Sequence, residues 1–162
     1  MPEPLRAAVV TVSDSVFQGE RQDGSGPAVA DALQKNGWKV VDSRVVADDQ
    51  AVIAATLREL SGHGVQAIFT TGGTGLAARD VTPEATRKVI TREVPGLAER
   101  IRQEGARITP TAVLSRGVAG VCGTTLILNL PGSPGGAVES LSFVLPVLQH
   151  AVDLLAGKTA HS

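Results

Sequence analysis

The sequence predicts an α/β sandwich, a mostly parallel sheet flanked by helices, and three observations carry that prediction. The chain has 162 residues, which suits a single domain over 1–162 with a real core and is short for two. Hydrophobic residues make up 43% but aromatics only 2%, so the core must rest on Ala, Val, Leu and Ile, a composition that suits buried parallel strands. Phe17, Trp38, Phe69 and Phe143 are then isolated large fillers. Finally, strand-like and helix-like segments alternate along the chain, without an internal repeat or interdomain linker.

Residues 7–13 (AAVVTVS) form a short β-rich apolar run, and 14–24 are too polar and glycine-containing to extend it. A helix follows, with Ser25 as its cap, Pro27 near its first turn and Asn36-Gly37 as its stop. Residues 38–47 read as a second strand. Asp48-Asp49 opens the next helix, in which Ile53, Leu57 and Leu60 share one face and which Gly62 and Gly64 close. Residues 66–71 form a third strand and 72–81 a loop, and Thr82-Pro83-Glu84 supplies the polar cap, early proline and early acid of a further helix.

Another helix covers 95–106, with Leu97 and Ile101 inward, before a break at 109–111. Residues 124–130 (TTLILNL) are the strongest late strand, and 129–136 (NLPGSPGG) are a rigid turn into the final helix. On that helix Val138, Leu141, Leu145, Leu148, Val152 and Leu155 form one stripe, and Val144, Val147, Ala151 and Leu154 form a second. Two surfaces must cover them, the sheet and a neighbouring helix or subunit. Pro146 predicts a kink.

A formal net charge of -1 without blocks of like charge leaves no electrostatic footprint for nucleic acid or an anionic membrane. Cys122 is the lone cysteine, and His63, His150 and His161 do not cluster with it, so neither a disulfide scaffold nor a zinc site is expected. The N-terminal residues lack the features of a secretory signal, and no segment reads as the about 20 apolar residues that span a bilayer. The expectation is a soluble cytoplasmic protein acting on small molecules.

In this fold class ligands gather outside the carboxyl ends of the strands, here the loops after Ser13, Ala47, Thr71 and Leu130. Gly72, Gly73, Thr74 and Gly75 allow backbone amides to converge on a phosphate, or simply make a tight reversal. They match neither GxGxxG nor GxxxxGK[ST]. With Thr82 as the helix cap, Asp80 has no evident structural task. A carboxylate beside a phosphate loop repels the ligand unless Mg²⁺ sits between them, whereas an ion pair with Arg79 or an alternative cap is its structural role.

One of Asp48 and Asp49 caps the helix and the other is open to a metal, and the residues alone do not choose. Ser13, Asp14, Asp23, Ser25 and Gly26 surround a helix start that binds an anion or is merely capped. Asn129 and Ser133 offer hydrogen bonds in a turn whose glycines and prolines bring backbone close to a ligand. Ser115-Arg116 either binds an anion or covers the surface. His63 and His150 have no nucleophile partner, and Cys122 reads as a small core or edge residue.

The segments TVSD (11–14), DGSGP (23–27), TTGGTG (70–75), RDVTPEAT (79–86), PTAVLSR (110–116) and LILNLPGSP (126–134) together resemble the molybdenum-cofactor biosynthesis family, over nearly the whole chain. That family comprises molybdopterin adenylyltransferases of the MogA type, their MoaB relatives, and the G domains of plant Cnx and animal gephyrin proteins. The resemblance implies a three-layer α/β fold assembled as a homotrimer, with ATP and molybdopterin as substrates and Mg²⁺ as cofactor. The implied reaction is attack of the terminal phosphate of molybdopterin on the α-phosphate of ATP, releasing pyrophosphate.

By the same resemblance Asp48 and Asp80 are the essential, metal-binding carboxylates, and Gly72, Gly73, Thr74, Gly75, Ser13 and Asp14 hold nucleotide phosphates. Ser115, Arg116, Asn129, Pro131, Gly132 and Ser133 hold the pterin and its phosphate, with Thr124 as a neighbour. A downstream molybdenum-insertion protein receives the product. Cys122 stands where many relatives carry a basic residue, and Ala78 where they carry proline, which implies that anion binding near Cys122 is weaker or is supplied elsewhere. A noncatalytic pterin-binding or assembly module of the MoaB kind is the alternative function.

Overall fold

The computed structural model describes residues 3–158, and His161 lies outside the described residues. Among them six strands form one sheet: β1 (Arg6–Val12), β2 (Lys39–Val46), β3 (Ala67–Thr71), β4 (Arg92–Glu93), β5 (Ala119–Cys122) and β6 (Thr125–Leu130), in the order β2-β1-β3-β6-β5-β4. The first four in that order are parallel, β5 runs antiparallel to β6, and β4 runs antiparallel to β5. The helices are α1 (Asp14–Phe17), α2 (Ser25–Lys35), α3 (Gln50–Ser61), α4 (Thr82–Arg87), α5 (Pro95–Ala106) and α6 (Pro134–Leu155). A 3₁₀ turn covers Pro110–Leu114.

Strand alternation divides the core between the two faces of the sheet. Ala7 and Val9 of β1 face one side with Val29, Leu33, Ile101, Leu141 and Leu148 of α2, α5 and α6. Ala8, Val10 and Val12 face the other with Ile53, Leu57, Leu60 and Ala85 of α3 and α4. The result is the α/β sandwich that the alternation predicts, with the three layers that the resemblance implies.

Not every large filler is in the core. Trp38 and Phe69 meet edge to face with ring centroids 5.8 Å apart, whereas Phe17 is 59% exposed on α1, a helical turn within the segment expected to be loop. On α6 the buried residues include Leu141, Val144, Leu148 and Val152, while Val147 and Leu154 of the second stripe are exposed. The helix runs without interruption through Pro146. Contrary to expectation, its length and composition would allow it to cross a membrane, yet here it packs against α2, α5 and β6.

Two caps also differ from expectation. Ser25 is the first residue of α2 rather than its cap, and the Asp23 carboxylate instead accepts from Gly26 N–H at 3.1 Å. Thr82 is the first residue of α4, which starts after Val81, so its hydroxyl is free for another task. Capping by a side chain needs an extended residue just before the helix, and Thr82 is already helical.

Candidate functional site

The chain passes from β1 to β2 on one side of the sheet and to β3 on the other, so β1 and β3 flank a crevice at their carboxyl ends. A cleft of about 590 Å³ opens there, lined by Ser13 after β1, Asp48 after β2, Gly72, Gly73 and Asp80 after β3, and Gly132 and Ser133 after β6. The amino ends of α2 and α6 border it through Ser25 and Pro134. Helix starts with free amides favour anions.

The glycines are fixed by contact as well as by conformation. Gly72 has φ +91°, and a Cβ on it would lie 2.4 Å from the Val12 carbonyl oxygen. Gly73 has φ +69°, and its Cβ would meet Thr82 Oγ1 at 2.3 Å and Asp48 Oδ1 at 3.2 Å. Thr82 is fully buried and donates to the Gly72 carbonyl at 3.0 Å, so it fastens the glycine turn to α4. Gly72 N–H donates to Leu130 O at 3.1 Å, which closes the turn instead of facing a ligand. Thr74 and Gly75 are not among the lining residues.

The structure separates Asp48 from Asp49. Asp49 caps α3 by accepting from Val52 N–H at 3.0 Å and is exposed, while Asp48 is half-buried in the cleft. Burial pushes the Asp48 carboxyl up, and the charges of Asp14 and Asp80 add to that push, against hydrogen bonding to Asp14 N–H and the charge of Arg79. Asp14 does not line the cleft. Its carboxylate accepts from both Arg79 Nε and Nη2, and from Asp48 N–H. The Arg79 guanidinium, followed by the Asp48 amide, holds the Asp14 carboxyl below the usual range.

Arg79 therefore pairs with Asp14 and not with its neighbour Asp80. Asp80 Oδ2 accepts from Ala77 N–H at 2.9 Å, and the residue remains half-buried in the cleft. Among the described residues no group of three or more His, Cys, Asp and Glu forms a metal cage. A partly buried Asp48 repelled by Asp80 nevertheless fits Mg²⁺, an ion commonly held by one or two carboxylates together with substrate phosphate and water.

A second cleft of about 260 Å³ adjoins the first at Ser133 and is lined by residues including Thr111, Ser115, Pro131, Gly136 and Glu139. Of the residues expected at the pterin, Ser115, Pro131 and Ser133 lie here, and Gly132 lies in the first cleft. Ser133 also caps α6 by accepting from Gly136 N–H at 3.1 Å.

Asn129 and Arg116 are placed differently. Asn129 is 4% exposed, accepts from Val118 N–H and donates to the Thr70 and Thr86 hydroxyls, so it braces the sheet beneath the clefts. Arg116 uses all three guanidinium nitrogens within the protein, on Glu84 and on the Gly75 and Asp80 carbonyls. Gly123-Thr124 is the hairpin turn at the amino end of β6, opposite the clefts, so the departure at Cys122 does not bear on them. Arg21 is not legible as a site residue in the sequence. It is the cation among the residues lining the first cleft and approaches Ser13 Oγ at 3.4 Å, but no pattern in its polar loop distinguished it.

Comparison with known proteins gives the family of the chain. The family model described as "Probable molybdopterin binding domain" matches residues 8–150. A molybdenum cofactor biosynthesis bifunctional protein of Chlorobaculum tepidum is 38% identical over 94% of the chain, which spans 49% of that relative. The molybdopterin adenylyltransferase of Escherichia coli K12 is 42% identical, with 86% of this chain and 73% of that protein covered. The crystal structure of the molybdopterin biosynthesis enzyme MoaB from Thermus thermophilus superposes with a TM-score of 0.90 at 54% identity, covering 95% of this chain and 98% of that one.

Proposed function

The chain belongs to the molybdopterin-binding domain family, and from that premise we propose that it is a molybdopterin adenylyltransferase in molybdenum cofactor biosynthesis. It transfers AMP from ATP to the terminal phosphate of molybdopterin. The observation that carries this reading is the meeting of Asp48 and Asp80 with the Gly72-Gly73 turn in one cleft, immediately beside a second cleft. The E. coli relative of that name supports the choice of reaction.

In the proposed reaction an oxygen of the molybdopterin phosphate forms a bond to the α-phosphorus of ATP, and the bond from that phosphorus to the bridging oxygen breaks to release pyrophosphate. Such transfers depend chiefly on positioning and charge neutralisation. Gly73, the starts of α2 and α6, and Arg21 hold the nucleotide phosphates, while Ser115, Pro131 and Ser133 receive the pterin side. Asp48 and Asp80 would hold Mg²⁺. That ion, when bound, neutralises phosphate charge and aligns phosphate oxygens.

Asp14 acts by orienting Asp48, and Thr82 by fixing the turn. We further infer a homotrimer, for which the exposed Val147 and Leu154 of α6 offer an apolar surface, and hand-over of the product to a cytoplasmic molybdenum-insertion protein.

The test is to incubate the purified protein with molybdopterin, ATP and Mg²⁺ and to measure adenylyl-molybdopterin and pyrophosphate. Equimolar formation of both is expected. Binding of molybdopterin without product from folded protein would contradict the enzyme and favour the noncatalytic module. Molar mass in solution tests the trimer separately.

A further inference from the structure

Arg116 joins two parts of the site that are distant in sequence. Its backbone N–H donates to Thr74 O at 2.8 Å and its Nε to Gly75 O at 2.8 Å, across 41 residues in the latter case. Nη2 donates to Asp80 O at 2.6 Å, and Nη1 donates to Glu84 Oε2 at 2.7 Å. One side chain thus grips both ends of the loop that carries Asp80, and the start of α4 behind it. The residue before it, Ser115, lines the second cleft, and Arg102 of α5 donates to the Ser115 and Gly117 carbonyls on the other side.

We propose that Arg116 is a positioning residue that holds the nucleotide-side loop in register with the pterin-side cleft, so that a molecule spanning both clefts is bound as one piece. The inference rests on the adenylyltransferase reading above. Neither Arg116 nor Glu84 lines either cleft, so an effect of their loss on a ligand must come through placement. The ion pair itself is substantially exposed, with side chains 36% and 43% accessible, and adds little to stability. Its value is geometric: the guanidinium fork reaches three separate groups, which a lysine ammonium does not reproduce.

A ligand joined across two subsites gains affinity only if their spacing matches its own. ATP alone and molybdopterin alone need one cleft each, whereas adenylyl-molybdopterin needs both. Calorimetric affinities of all three for wild type, Arg116→Gln and Glu84→Gln therefore test the inference. Adenylyl-molybdopterin is expected to weaken about tenfold or more in Arg116→Gln and a few-fold in Glu84→Gln, while ATP and molybdopterin each stay within about threefold.

Unchanged affinity for adenylyl-molybdopterin in the variants, or equal weakening of all three ligands, overturns the inference and leaves the adenylyltransferase reading standing. Wild type that binds neither ATP nor molybdopterin overturns that reading and the inference with it. Should Arg116→Gln fail to fold, Arg116→Lys, which keeps the charge and loses the fork, carries the same test with the same tenfold expectation.

Discussion

Asp14 and Asp48 exchange two hydrogen bonds: the N–H of Asp14 donates to Asp48 Oδ2 at 2.9 Å, and the N–H of Asp48 donates to Asp14 Oδ1 at 2.9 Å. The loops after β1 and β2 are thereby locked together, and the Asp48 carboxylate is held in the cleft. Arg79, immediately before Asp80, closes the ring by pairing with Asp14.

Asp14→Ala should therefore release both carboxylates from their mutual placement. Adenylyl transfer is expected to fall about 100-fold, the scale of a misplacement near 1 Å, with the fold retained. Asp14→Asn keeps an acceptor for Asp48 N–H but loses the charge opposite Arg79, so it should fall less. Steady-state kcat for the two variants checks the order.

Gly72→Ala places a methyl group where the Val12 carbonyl oxygen already stands, at 2.4 Å, and at φ +91°. The backbone of β1 has no flexible end with which to yield. A loss of about 1–3 kcal/mol or more is expected from denaturant unfolding, together with loss of ATP binding.

Asn129→Ala removes three buried hydrogen bonds and leaves Val118 N–H without its acceptor. Stability should drop by about 2 kcal/mol or more in urea. If Asn129 were instead a pterin ligand only, molybdopterin affinity would fall with no change in stability.

The features legible in the sequence are those whose chemistry is local. Strand and helix alternation, the glycine turn, and the pair Asp48-Asp49 with only one of them capping the helix are all visible along the chain. What was not legible depended on partners distant in sequence. Adjacency offers Arg79 to Asp80, yet it bonds Asp14, 65 residues away, and Asn129 reads as available because its partners Thr70 and Thr86 are 59 and 43 residues distant. The residue type of Thr82 suits a cap, whereas its helical position gives the hydroxyl to Gly72. Strands β4 and β5, of two and four residues, are too short for alternation to reveal.

The Arg116 guanidinium, bonded to Glu84, holds that carboxyl below the usual glutamate range. Its folded value lies below an unfolded value of about 4.3, so its stabilisation is present above that pH and is lost as pH falls through the folded value. Glu84→Gln should lower the thermal midpoint at pH 7 by at most about 3 °C, and the gap from wild type should close below about pH 4. A gap that widened in acid would contradict the pairing.

In the proposed function Asp48 and Asp80 serve AMP transfer in the cleft beside Gly72 and Gly73. Burial and the charges of Asp14 and Asp80 disfavour ionised Asp48, so Asp48→Ala should remain folded at neutral pH. The most direct measurement is single-turnover transfer of label from α-labelled ATP to molybdopterin by wild type, Asp48→Ala and Asp80→Ala with Mg²⁺ present. Transfer by wild type, with a loss of about 100- to 1,000-fold in each folded variant, is the predicted result. Wild-type rates in either variant would contradict that role.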